Sequence, residues 1–471
     1  SMKYILNPYI SLRSWKLVPY AFYVSVIRDA RGLKKDEFDI LLRCDGLTDI
    51  PDSPALKLLF DKGLCRPAEN GETLSENQKY RHCDNRYFPA MNFMITGKCN
   101  YNCRHCFNAA DNAPLQSQWT LEEAEKLLDE ARDCGIHAFT ITGGEPMLHP
   151  DFMKILRGIH ERGMFVEELN TNGFFLTEKI LDEMDSFGCR PLMKISFDGV
   201  GYHDWMRNRK GAEEDALRAI KLCADKGFDV KLQTNVNRVN LSSMRETVLL
   251  AERLGASKIR IIRTTESPRW EKNAGNATLG VEEYYDEGIK LVSSLAGEIS
   301  KIDVDIWQFL SFYPRDSAYS LNPVECGEGE YRDSLPVCRG NRGMVAVEAN
   351  GNLCPCLQMS GYYEAHGDNV GNVKTTPLRE LLSESRYLSE VTTTLGTLKQ
   401  SDSDCGSCEF FRYCAGGCRA LALALTGNKL GRDPLKCVFF KKNYPRKIAE
   451  ALRGYRCLST MNTVTSKETI I

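Results

Sequence analysis

Cys99, Cys103 and Cys106 fall within the eleven residues GKCNYNCRHCF, positions 97–107. A disulfide framework uses thiols in pairs, and a structural zinc site usually takes four ligands. Three thiolates on one loop instead suit three irons of a [4Fe–4S] cube, with the fourth iron left open to an outside ligand. A second set lies far downstream. Cys338 is followed by Gly351 and Cys356, then by Cys405-x2-Cys408-x5-Cys414-x3-Cys418, and last by Cys437. Four thiolates suit zinc as well as iron–sulfur, so the CxxC spacing alone leaves both open.

The chain carries 19 cysteines in 471 residues, and ten of them stand at or after Cys326. There is no basic-then-apolar leader and no run of about 18 apolar residues, so a cytoplasmic protein is expected, without a membrane span. Clustered thiols in a reducing compartment read as metal ligands. Cys44, Cys65, Cys134, Cys189 and Cys223 stand alone and read as small buried hydrophobes. With 42% hydrophobic and 26% charged residues the chain can bury a sizeable core, and its length implies two or three domains. A net charge of −2 with interspersed signs gives no electrostatic case for nucleic acid or an anionic membrane.

The three-cysteine loop must be held by something, and the chain supplies an alternation of strands and helices. Apolar runs at 92–96, 137–142, 165–170, 192–197, 229–236 and 258–264 predict strands, with helices between. The clearest helix is 120–134. Thr120 and Glu123 form a capping box, Leu121, Ala124, Leu127, Leu128 and Ala131 share a face, and Gly135 closes it. Alternating β and α predicts a parallel sheet, and six units fall short of a closed eight-fold barrel. The fold class expected is α/β, a partial (β/α)6 TIM-type barrel. Polar, glycine-rich turns end its strands: the cysteine loop after the first, GGEP after the second, TNG after the third, DGVGYHD after the fourth. Function collects on that face of a barrel. Before it, residues 1–85 read as strands followed by short helices, a winged-helix-like module, with the polar run 66–85 as a linker. The barrel is expected over 86–320, a cysteine-rich domain over 321–457, and a disordered tail over 458–471.

These motifs resemble the radical S-adenosylmethionine (radical SAM) superfamily, whose loop has this cysteine spacing, with an aromatic such as Phe107 after the last. The resemblance implies that S-adenosylmethionine chelates the open iron and is cleaved to a 5′-deoxyadenosyl radical, which abstracts hydrogen from substrate. It implies cofactor contacts from Gly143, Gly144, Glu145 and Pro146 of GGEP, Asn170 of NTNG, Ser196 of KISFDG, and Asn235 at the end of the fifth strand. Arg207 of HDWMR takes the place of an Arg that pairs with the cofactor carboxylate, with Arg209 close enough to compete. Asp198 either contacts the cofactor or caps its turn. The downstream cysteines are similar in order to the SPASM domain, which carries two auxiliary clusters. By that resemblance Cys405, Cys408, Cys414 and Cys437 hold one, and Cys338, Cys356 and Cys418 the other. Its fourth ligand is Cys326, favoured here, or Cys354, or the position is open.

Three [4Fe–4S] clusters and S-adenosylmethionine are therefore the expected cofactors. The resemblance points to an oxidoreductase maturing a ribosomally made peptide by a thioether or carbon–carbon crosslink or another modification. Residues 1–85 would be the module that grips the peptide's leader, and a flavodoxin or ferredoxin the low-potential electron donor. An anaerobic sulfatase-maturing enzyme and a haem-biosynthesis enzyme share the cluster motifs. A non-catalytic electron carrier would have no use for GGEP, Ser196 or Arg207.

Overall fold

The computed structural model describes residues 2–107, 117–264, 267–338 and 343–461. The N-terminal part runs β1 (Met2–Leu6), β2 (Ile10–Lys16), β3 (Val18–Val24), β4 (Asp29–Gly32), α1 (Lys35–Leu42), β5 (Asp45–Ile50), α2 (Pro54–Asp61), β6 (Cys65–Pro67) and β7 (Arg81–Arg86). α2 starts where Ser53 accepts a hydrogen bond from Leu56 N and Pro54 fills the first turn. Its inner face, Leu56 and Leu59, packs with Leu6, Ile10 and Phe38.

This module is more than a winged-helix pattern of strands and helices. It holds two sheets, ordered β5-β1-β6 and β4-β3-β2-β7. Nor is 66–85 a linker, because β7 pairs in parallel with β2 and completes the four-stranded sheet. The inward positions of β7 are Cys83 and Asn85, not the apolar residues that mark a strand in sequence. Asn85 is buried for a reason: its Nδ2 donates to Cys134 O at 3.0 Å, beside the Trp15 Nε1 bond to the same oxygen at 2.9 Å. Tyr23 stacks on His137 at 3.8 Å between centroids, and the Arg28 guanidinium covers the Phe165 ring at 3.9 Å.

The barrel follows as β8 (Ala90–Thr96), α3 (Leu121–Asp133), β9 (Ala138–Gly143), α4 (Phe152–Glu161), β10 (Phe165–Thr171), α5 (Glu178–Ser186) and β11 (Leu192–Ser196). It continues through α6 (His203–Arg207), α7 (Ala212–Asp225), β12 (Val230–Val236), α8 (Met244–Arg253), β13 (Lys258–Arg263), α9 (Pro268–Ala274) and α10 (Val281–Leu295). His137 and Phe165 stand at the starts of β9 and β10, so the N-terminal module caps the floor, opposite the functional ends of the strands. Thr120 caps α3 through Glu123 as expected.

The parallel run is longer than six strands. β14 (Asp303–Ile306) extends it beyond β13, and β17 (Met344–Val347) pairs in parallel with β8 on the other side. Antiparallel β15 (Leu310–Tyr313), β16 (Ala318–Leu321) and β18 (Leu353–Cys354), with the short β19 (Arg456–Cys457), complete a twelve-stranded sheet. The cysteine-rich part thus contributes strands to the barrel sheet at both ends rather than hanging from it. Its helices also clamp α10, where Tyr285 OH donates to Leu435 O at 2.7 Å. Residues 458–461 are ordered: Leu458 N donates to Tyr319 O, Ser459 Oγ accepts from Leu321 N, and Met461 is buried. The rest of the expected tail, 462–471, lies outside the described residues. No described helix is long and apolar enough to cross a membrane.

Candidate functional site

Glycine lets two loops meet at the top of β8 and β9. A Cβ at Gly143 or Gly144 would collide with the carbonyl oxygens of Thr96 and Lys98, just before Cys99. In that contact Gly144 N donates to Thr96 O and Glu145 N to Lys98 O, both at 2.8 Å. The far side of the cysteine loop is tied to α6 by Arg104 N to Met206 O at 3.0 Å and Arg104 Nε to Trp205 O at 2.9 Å. Burial lifts the Cys99 thiol to about 12 and also raises Cys103. Such thiols keep their protons until a metal cation replaces them.

Arg207 is buried between two partners. Its Nε lies 2.7 Å from Asp198 Oδ2, and its Nη1 donates to Cys103 Sγ at 3.7 Å. Burial raises the Asp198 carboxyl, but Arg207, His203 and His105 together outweigh it and hold it well below the usual range. Asp198 also accepts from Asn235 N at 2.9 Å.

A cavity of about 570 Å³ opens over the loop, within the usual ligand range of roughly 300–1,000 Å³. Cys99, Cys103, Cys106 and Phe107 line it, with Gly143, Gly144, Asn170, Ser196, Arg207 and Asn235. Glu145, Pro146 and Asp198 do not. The Glu145 carboxylate accepts instead from Thr171 Oγ1 (2.9 Å), Asn172 N (2.8 Å) and Met147 N (3.3 Å), bracing the end of β10. Burial pushes it up to about 7 against those bonds. Several lining atoms are buried without a partner: Asn170 Oδ1, Gln233 Oε1, Tyr101 OH and His105 Nδ1. Soft thiols on one wall and unmet polar atoms on the others fit an iron–sulfur cluster with a polar, zwitterionic ligand.

His105 is a lining residue that the motif reading passed over. Its Nε2 pairs with Asn235 Nδ2 at 3.0 Å, and burial lowers its pKa to about 3, leaving a neutral ring. The signal was its place between two cysteines, although Arg104 in the same stretch bonds Trp205 O and does not line the cavity. Arg209 lies farther out, its guanidinium over the rings of Tyr101 and Phe174.

A second cavity of about 560 Å³ adjoins the first and shares Asn92, Trp307, Cys356, Leu357 and Gln358 with it. Cys326, Cys338, Cys356 and Cys418 line it. Cys354 does not, being buried among Met94, Ala346, Ala349 and Leu357. The remaining four thiols form their own group. Cys405 feels Cys437 and Cys408, Cys414 feels Cys408 and Cys405, and Cys437 feels Cys408. Among the described residues no three ligating side chains already stand at metal-binding distance. Cys44, Cys65, Cys134, Cys189 and Cys223 are buried elsewhere.

Residues 93–251 match the model of the radical SAM superfamily, and residues 338–409 that of the SPASM iron–sulfur cluster-binding domain. The AdoMet-dependent heme synthase of Nitratidesulfovibrio vulgaris is 27% identical over 72% of this chain and 90% of its own. The PqqA peptide cyclase of Gluconobacter oxydans is 25% identical over 72% and 88%. Among solved structures, Streptococcus suis SuiB bound to precursor peptide SuiA superposes with a TM-score of 0.62 at 12% identity, over 92% of this chain and 99% of its own. anSMEcpe with bound AdoMet gives 0.55 at 17% identity, over 77% and 98%.

Proposed function

The chain is a radical SAM protein with a C-terminal SPASM domain, and on that premise we propose that it modifies a ribosomally made peptide. In this reading Cys99, Cys103 and Cys106 hold a [4Fe–4S] cluster. Cys405, Cys408, Cys414 and Cys437 hold a second, and Cys326, Cys338, Cys356 and Cys418 a third. With S-adenosylmethionine bound, the first cluster supplies a 5′-deoxyadenosyl radical that takes hydrogen from the substrate. The chain's own residues orient the cofactor. Of the residues that line the cavity, the backbone at Gly143 and Gly144 would hold the methionine end, Ser196 and Arg207 its polar groups, and Asn170, Asn235 and Phe107 would complete the wall. Glu145, Pro146 and Asp198 act from behind the lining as positioning residues.

One observation carries the peptide reading. The fold shared with SuiB, which was solved with its precursor peptide, spans 92% of this chain and 99% of that one. Residues 1–85 are accordingly assigned to grip a leader, and the outer edges of β4 and β5 are where an extended peptide would add a strand. Anchoring there raises the local concentration of a weakly bound core segment. A thioether or carbon–carbon crosslink, made anaerobically in the cytoplasm with electrons from a flavodoxin or ferredoxin, is the product class assigned.

The heme synthase match favours a second reading, in which the substrate is a tetrapyrrole. The reduced enzyme incubated without oxygen with candidate precursor peptides is expected to remove two hydrogens from its substrate, and free leader is expected to inhibit. Conversion of an iron porphyrin, with the peptide untouched, would replace the peptide reading by the tetrapyrrole one.

A further inference from the structure

Where the N-terminal module meets the barrel floor, a cavity of about 260 Å³ is walled by Arg13, Arg81, Arg132, Arg162 and His137. No Asp or Glu side chain is among its walls. It lies at the opposite end of the strands from the cysteine loop, and no motif in the chain pointed to it.

Each wall is held in place. Arg13 is only 5% exposed, and its guanidinium donates to Lys79 O and Asn77 O, both at 3.0 Å. Tyr23 lies parallel to the His137 ring, and His137, 7% exposed, has an Nε2 with no partner. Arg162 pairs with Asp129 at 2.8 Å, and Arg132 with Asp133 at 3.0 Å. Arg81 has no carboxylate partner among the described residues. Among the described residues Asp129 and Asp133 are the carboxylates in ion pairs with these guanidiniums, while Glu76 and Glu161 lie with Asp133 in an adjoining cleft beside Arg81, Arg132 and Arg162. Burial and the neighbouring guanidinium of Arg81 lower the pKa of Arg13 to about 10. Cations withdrawn from water without a matching anion are costly, and a bound oxyanion would remove that cost.

We propose that this seam cavity is a binding site for a single oxyanion, a phosphate-type ion or the carboxylate of an acidic peptide side chain, gripped by Arg81 and Arg13 with His137 Nε2 as a further polar contact. Guanidinium forks suit both chemistries. Arg13 and Arg81 come from the module, and His137, Arg132 and Arg162 from the barrel. An anion here therefore ties the two together and makes their docking depend on it. The site is separate from the cofactor cavity and does not depend on which substrate the enzyme modifies.

Calorimetric titration of the full-length, cluster-loaded protein decides it, with inorganic phosphate in one arm and N-acetyl-glutamate amide in the other. Saturable binding of at least one is expected, with a rise in unfolding temperature that grows with its concentration. Phosphate alone identifies a free ion, glutamate alone a peptide side chain, and both a general oxyanion site. Arg81→Gln is expected to weaken binding at least tenfold while iron content and S-adenosylmethionine cleavage stay unchanged. His137→Phe, which removes the Nε2 contact and keeps a ring against Tyr23, is a second variant should the first fold poorly. Absence of saturable binding in both arms, or native affinity in the folded variants, overturns the proposal.

Discussion

Arg207 joins Asp198 to Cys103: one guanidinium lies 2.7 Å from the carboxylate and 3.7 Å from the sulfur. The pair is buried, so removing one member leaves the other charged and unmet, which costs about 3–5 kcal/mol. Asp198→Asn is expected to destabilise the cluster-free protein by roughly that amount in denaturant unfolding. Asp198→Asn combined with Arg207→Met should recover part of the loss, because neither charge is then stranded.

Gly144 lets the GGEP turn touch the carbonyls ahead of Cys99. Gly144→Ala must push that loop away. The expected result is poor retention of the first cluster with the other two kept, read as iron per chain and as loss of S-adenosylmethionine cleavage.

Cys326 and Cys354 are separated by what surrounds them. Cys326 lines the cavity of Cys338, Cys356 and Cys418, while Cys354 sits in apolar packing. Cys326→Ala should alter the electron paramagnetic resonance signal of one auxiliary cluster and free its fourth iron. Cys354→Ala should leave that signal unchanged.

Glu348 is 6% exposed, and burial, with Glu364 nearby, raises its pKa to about 7. Between its unfolded value near 4.5 and about 7, the unfolded chain has released a proton that the folded one keeps. Stability therefore falls as pH rises through that window and is flat above it. Glu348→Gln should be nearly neutral at pH 5 and stabilising at pH 8, by at most on the order of 3 kcal/mol in cluster-free protein.

The barrel strands were legible because parallel strands buried on both faces read as unbroken apolar runs, as the fully buried β9 does. β7 was not, since its inward residues are Cys83, packed against Trp15 and Ala21, and Asn85, which bonds Cys134 O across an interface the sequence does not display. β17 escaped for another reason: its partner, β8, is some 250 residues away in the chain, and four residues carry little periodicity. At the site, spacing singled out Cys99, Cys103 and Cys106, which line one cavity, and Cys338, Cys356 and Cys418, which line the adjoining one. It could not tell lining from support: Glu145, and Asp198 in one of its two readings, were expected at the cofactor, and neither lines the cavity. That distinction depends on which way a side chain turns at the end of a strand.

The central claim is that Cys99, Cys103 and Cys106 hold the cluster that cleaves S-adenosylmethionine. The most direct measurement compares the native protein with the variant in which all three are Ala, reconstituted anaerobically and reduced, reading 5′-deoxyadenosine and iron together. The account expects about twelve irons per native chain and about two-thirds of them in the variant, with 5′-deoxyadenosine formation abolished. Continued cleavage by the variant would contradict it.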